Sequence, residues 1–152
     1  MESVAVNLAF RLEVAADTCF LEMIASLVER FCLAAGLEDD DARGMQVAVD
    51  EICTNTVMHG YGGDSSRRFV LEGYRGEGRV GFVVIEWGKP FEPDLIPEPD
   101  LEAPLEDRPI GGLGLYLVRR LTDHFEYSQQ ADGCKSFRLE KTVGGCGPTA
   151  SA

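Results

Sequence analysis

Asp50-Glu51-Ile52-Cys53-Thr54-Asn55-Thr56-Val57-Met58-His59-Gly60-Tyr61 is the stretch whose reading decides the fold. It contains E-x-x-x-N-x-x-x-H in a segment that favours a helix. Residues four apart neighbour one another on a helix surface. Glu51, Asn55 and His59 therefore form a slowly drifting polar stripe. Met45, Val49, Ile52 and Thr56 fall on another face, suited to a core. A carboxylate, a carboxamide and an imidazole spaced one turn apart can hold a hydrated metal ion and move a proton. Taken alone, the same stripe also reads as a solvated helix face with a satisfied histidine. The downstream residues decide between the two.

Two glycine clusters lie in that downstream half. Glu86-Trp-Gly-Lys-Pro-Phe91 comes directly after a strand pattern. A carboxylate at a strand end can accept a hydrogen bond from an exocyclic amine, and Gly88 lets a flat ring approach the backbone. The plainer alternative is a glycine turn with Glu86 in solvent. Gly111-Gly-Leu-Gly-Leu-Tyr-Leu-Val118 runs into a helix. The first amides of a helix are unpaired and carry partial positive charge, so small residues there admit phosphate oxygens. The alternative is a hinge before a helix start. Lys89 and Arg108 are either phosphate contacts or ordinary surface charges. Taken in order, these parts suffice to bind a Mg-nucleotide.

The rest of the chain frames them. Val4, Val6, Leu8, Phe10, Leu12 and Val14 alternate with polar residues, which predicts a strand over residues 4–14. Asp17 or Thr18 caps a helix that stops at Gly36. The next helix spans about Ala42 to His59. Arg68–Tyr74 and Arg79–Trp87 read as strands joined by a hairpin turn at Arg75-Gly-Glu-Gly78. Residues 88–110 hold six of the seven prolines, and no regular element fits there. Such a stretch reads as a lid or a disordered segment. A helix over Leu115–Leu121 and strands near Phe125–Gln129 and Ser136–Lys141 complete the pattern. The expected fold is α/β: a two-layer sandwich of a mixed, mostly antiparallel sheet with helices on one face. The expected organisation is a single domain over residues 1–143, a lid at about 92–110 and a disordered tail over 144–152.

At 152 residues the chain is long enough for a substantial core. A formal charge of −12 disfavours nucleic acid and anionic lipid as partners. No apolar run approaches the ~20 residues needed to span a bilayer, and the N-terminus lacks signal-peptide features. The five cysteines form no C-x-x-C pair and their number is odd. They read as reduced core thiols of a cytoplasmic protein rather than as a zinc or disulfide framework.

The order of the three clusters resembles the GHKL, or Bergerat-fold, ATPases. The first looks like their N box, the second like D-x-G-x-P, the third like the G-x-G-L that ends an ATP lid. Within that superfamily the chain most resembles the anti-sigma-factor serine/threonine kinases of the RsbW/SpoIIAB type, over about residues 4–142. The resemblance implies ATP and Mg²⁺ as cofactors. It implies that Asn55 ligates the metal through its side-chain oxygen and that Glu51 is the general base toward a substrate serine. Glu86, one methylene longer, stands where the family's Asp reads the adenine amine. Gly88 would make room for the ring. Gly111, Gly112, Gly114 and Leu115 would place amides on the phosphates. The implied partners are a sigma factor and a STAS-domain antagonist, and the implied assembly is a homodimer. A nucleotide-gated binding module without kinase activity is the alternative. A sensor histidine kinase domain fits less well, because no dimerisation helix with a phosphorylatable histidine precedes the motifs.

Overall fold

The computed structural model describes residues 7–89 and 112–144. The expected lid at 92–110, Gly111 and almost all of the expected tail lie outside the described residues.

Five strands form one sheet in the order β1-β2-β3-β5-β4, where β1 is Asn7–Ala15, β2 Arg68–Gly76, β3 Arg79–Glu86, β4 His124–Gln129 and β5 Lys135–Thr142. Every described pairing is antiparallel, a more uniform outcome than a mixed sheet. Helices α1 (Leu21–Ala34), α2 (Asp39–Asn55) and α3 (Gly112–Leu121) pack on one face. A short 3₁₀ turn at Thr18–Phe20 leads into α1, its first free amide capped by Asp17. Asp39, Asp40 and Asp41 occupy the first turn of α2, where carboxylates oppose the positive end of the helix dipole.

Strand alternation puts Phe69, Leu71, Val80, Phe82, Val84, Phe137 and Leu139 into the core beneath the helices. Ile24, Val28 and Cys32 of α1 meet them, with Met45, Val49, Ile52 and Cys53 of α2. Burial pushes the Cys32 thiol up to about 12 and raises that of Cys53 as well, so both behave as inert apolar groups. The opposite face of the sheet mixes charged pairs, Arg11 with Glu72 at 2.9 Å and Arg79 with Glu140 at 3.3 Å, with apolar groups that include the buried Val70 and Tyr74. The β2–β3 hairpin closes through Glu77-Gly78, and Gly78 adopts φ +68°, which L side chains resist.

Three rings tie β1 and β3 to α1. Phe10 and Phe31 meet edge-on at 5.1 Å, and Phe31 and Phe82 at 5.5 Å. Phe10 lies over Gly73, where an added Cβ would stand 2.1 Å from the ring. Gly73→Ala therefore displaces Phe10 and costs about 1–3 kcal/mol, measured by denaturant unfolding at constant m-value.

The α2 segment departs from a plain α-helix at its end. After Asn55 the chain makes one π-helical turn, Thr56–Gly60, with the Tyr61 amide donating to Thr56 O at 2.9 Å. His59 lies in this turn and is exposed. Of the three polar residues, Glu51 and Asn55 lie in α2 and His59 in the π-turn. Turns of this kind are frequent at functional sites.

A candidate nucleotide site at the end of the second helix

The C-terminal part of α2 touches both glycine clusters. Glu51 faces the start of α3: a Cβ on Gly114 would lie 2.6 Å from Glu51 Oε2. One π-turn beyond Asn55, Gly60 faces the end of β3. Its carbonyl accepts the Lys89 amide at 2.9 Å, and a Cβ on Gly60 would lie 2.7 Å from Glu86 Oε2. Segments far apart in sequence therefore converge on one helix end, and each close approach depends on a missing side chain. The position of a Gly88 Cβ is filled by the Gly60 carbonyl, 2.3 Å away. Gly88 is thus demanded first by backbone packing, a requirement distinct from room for a ring.

Glu51 and Asn55 are both half-buried on adjacent turns. Burial raises the Glu51 carboxyl above its ordinary value, and the charge of Asp50 adds to the effect. Asp50 is itself raised by burial. A carboxylate moved toward neutrality is a better proton acceptor than an ordinary surface one.

Glu86 is 2% exposed, which removes the reading of a solvated carboxylate. It stands directly opposite Lys135 across the β3–β5 ladder, on the helix side of the sheet. Lys135 Nζ lies 2.8 Å from Glu86 Oε1, and the side chain is fully buried. The same ammonium donates to the Gly88 carbonyl at 2.6 Å and to the Lys89 carbonyl. The Gly88 amide donates to Glu86 Oε2 at 3.1 Å. Nearby, Tyr61 donates its hydroxyl hydrogen to Arg68 O at 2.7 Å and accepts the Trp87 amide at 2.9 Å. Arg67 stacks 4.5 Å above the Tyr61 ring and donates to Trp87 O at 3.0 Å. Lys135 and Tyr61 are thus parts of this corner that motif reading passes over. The phase of Phe137 and Leu139 does place Lys135 on the core side of its strand, an unusual position for an unpaired lysine.

The donor set suits magnesium. Mg²⁺ prefers hard oxygen ligands, keeps several waters and takes only one or two protein groups alongside substrate phosphates. Asn55 and Glu51 offer such oxygens. Among the described residues no group of three or more His, Cys, Asp or Glu forms a metal cage. The pair therefore fits an ion carried on phosphates better than a resident structural metal. Gly111 lies outside the described residues, whereas Gly112 begins α3, and Gly114 and Leu115 lie in its first turn.

The fold is that of a histidine kinase-like ATPase domain, and the profile of that family matches residues 14–141. A serine-protein kinase RsbW of Halalkalibacterium halodurans is 30% identical over 122 residues, 78% of this chain and 74% of that protein. A Bacillus thuringiensis protein of the same name is 33% identical over 95 residues, with 60% of this chain covered and 59% of that one. A solved structure of the RsbU and RsbW domains of a Mycobacterium tuberculosis protein superposes with a TM-score of 0.63 at 18% identity, covering 88% of this chain and 31% of that one. The chain belongs to the histidine kinase-like ATPase (GHKL) family and, within it, to the RsbW-like kinases. No helix among the described residues is long and apolar enough to cross a membrane.

Proposed function

We propose that this chain is an ATP-dependent protein serine/threonine kinase that acts as an anti-sigma factor and phosphorylates a STAS-domain anti-sigma-factor antagonist. The observation that supports it most is the convergence of both glycine-bearing segments on the end of α2, with Glu51 against Gly114 and Gly60 against Glu86 and Lys89. The likeness to relatives named serine-protein kinase RsbW supports the same reading.

In this reading ATP supplies the phosphoryl group. Asn55 would hold Mg²⁺ through its side-chain oxygen. Glu86 would accept from the adenine amine beside Gly88, while the amides of Gly111, Gly112, Gly114 and Leu115 would meet the phosphates. Glu51 would take the proton of the substrate serine hydroxyl as the serine oxygen bonds to the terminal phosphorus, and the bond from that phosphorus to the bridging oxygen would break to release ADP. The rest of the catalytic effect is positioning and charge neutralisation. A new phosphoserine adds close to two negative charges and would drive the antagonist away from this acidic chain. The unphosphorylated antagonist and a sigma factor would then alternate as partners, with the kinase acting as a cytoplasmic homodimer of a single domain.

The test incubates the protein with Mg²⁺, γ-labelled ATP and a candidate STAS protein. Label on a serine of that protein, lost together with Mg²⁺-dependent nucleotide binding in Asn55→Ala, is the expected result. Nucleotide binding with no transfer of label to any STAS partner would overturn the kinase in favour of a nucleotide-gated binding module. Intact Mg²⁺-dependent binding in Asn55→Ala would overturn the metal assignment.

A further inference from the structure

Glu51 meets the start of α3 without a counter-charge. Its Oε2 lies 2.6 Å from the Cβ position of Gly114, so only a glycine there admits the carboxylate. Gly114 is the third residue of α3. The first amides of a helix have no partner within it and make that end positive. Among the described residues no lysine or arginine pairs with Glu51, and the neighbouring Asp50 adds a like charge. The arginines of α3, Arg119 and Arg120, belong to its last turn. That end is held too. Leu121 packs on Gly44, earlier in α2, where an added Cβ would lie 3.3 Å from Leu121 Cδ2. Contact at both ends keeps α3 against α2, and with it the first turn of α3 against the carboxylate.

We propose that Glu51 is also a specificity residue: its charge opposes the terminal phosphate of a bound nucleotide and so lowers the affinity for ATP relative to ADP. The proposal rests on the nucleotide-binding reading above, which gives the first turn of α3 to the phosphates. Carboxylate and phosphates are all anions, and one set of amides cannot neutralise both. A base close enough to take the proton of the attacking serine is also close enough to repel the phosphate under attack, and half-burial strengthens that repulsion over its value in water. ADP lacks that phosphate and escapes most of the cost. The kinase therefore keeps a brake on its own substrate, and the brake is the residue that does the chemistry.

Calorimetry with ATP, ADP and AMP on the wild-type chain and on Glu51→Gln, which keeps the shape and removes the charge, tests this. Glu51→Gln should bind ATP about fivefold or more tighter. The gain should fall in the order ATP, ADP, AMP, and the gain for ATP should be larger without Mg²⁺, because the ion offsets phosphate charge. Equal ATP affinity in the two proteins, or an equal gain for all three nucleotides, would overturn the proposal. Weaker ATP binding in Glu51→Gln would make the carboxylate a contact to the metal and would overturn it as well. Should Glu51→Gln fail to fold, Glu51→Asp keeps the charge but draws it back from Gly114 by one methylene, and a smaller gain for ATP over ADP is expected from it. No gain there also overturns the proposal. A wild-type chain that binds nucleotide with no change in either variant defeats this inference and leaves the nucleotide site standing. One that binds no nucleotide defeats the site itself, and this inference with it.

Discussion

Glu51→Gln lowers phosphoryl transfer to a STAS partner by about 10²–10⁴-fold, the usual contribution of a positioned general base, while ATP still binds. Gln fills the same space beside Gly114 and cannot accept the proton. Single-turnover transfer separates this from a binding defect, since only the chemical step slows. A loss below about threefold would show that Glu51 is not the base. The wild-type pH profile carries an independent sign. Burial and Asp50 raise the Glu51 carboxyl, and only the ionised form works as a base. Activity should fall as pH drops through that raised value, so the acid limb lies above the ordinary carboxylate range. Stability runs the other way. A carboxyl raised on folding binds its proton more tightly in the native state, so its contribution is present at low pH and fades as pH rises through the native value. Relative to wild type, Glu51→Gln should therefore melt higher near neutrality than in acid.

Glu86→Leu destabilises the protein by about 3–5 kcal/mol, because it strands the buried Lys135 ammonium. For a domain of this size that is a fall in Tm of about 6–20 °C. The lysine keeps two carbonyl acceptors at residues 88 and 89 but loses its only described counter-charge. The double variant Glu86→Leu/Lys135→Met should recover most of the loss, since two apolar side chains can replace a buried ion pair at little cost. Thermal unfolding of the two proteins decides the matter. A single variant within about 1 kcal/mol of wild type would mean that the pair is not formed in the folded protein.

Much of this architecture can be read from local patterns. Alternation sets the faces of β2 and β3, because one side of each packs under the helices and a slip of one residue would take Phe69, Leu71, Phe82 and Val84 out of that core. Gly36 and Gly78 mark a helix stop and a hairpin through their positive φ. Glu51 and Asn55 share a helix face because helical spacing requires it. The missing parts are those that need the third dimension. Lys135 meets Glu86 only because β5 inserts between β3 and β4, and strand order has no local signal. The approach of Gly114 to Glu51 likewise results from packing α3 on α2. The π-turn at Thr56–Gly60 hides inside a motif with regular α spacing and shows only when the backbone is traced. Gly88 reads as room for a ligand, whereas its space is first claimed by the Gly60 carbonyl.

Titration calorimetry of the full chain with ATP, with and without Mg²⁺, tests the central claim most directly. Saturable binding of one nucleotide per chain, strengthened by Mg²⁺ and losing that strengthening in Asn55→Ala, is what this account predicts. No heat of binding with any adenine nucleotide at high protein concentration, whatever the divalent cation, would contradict it.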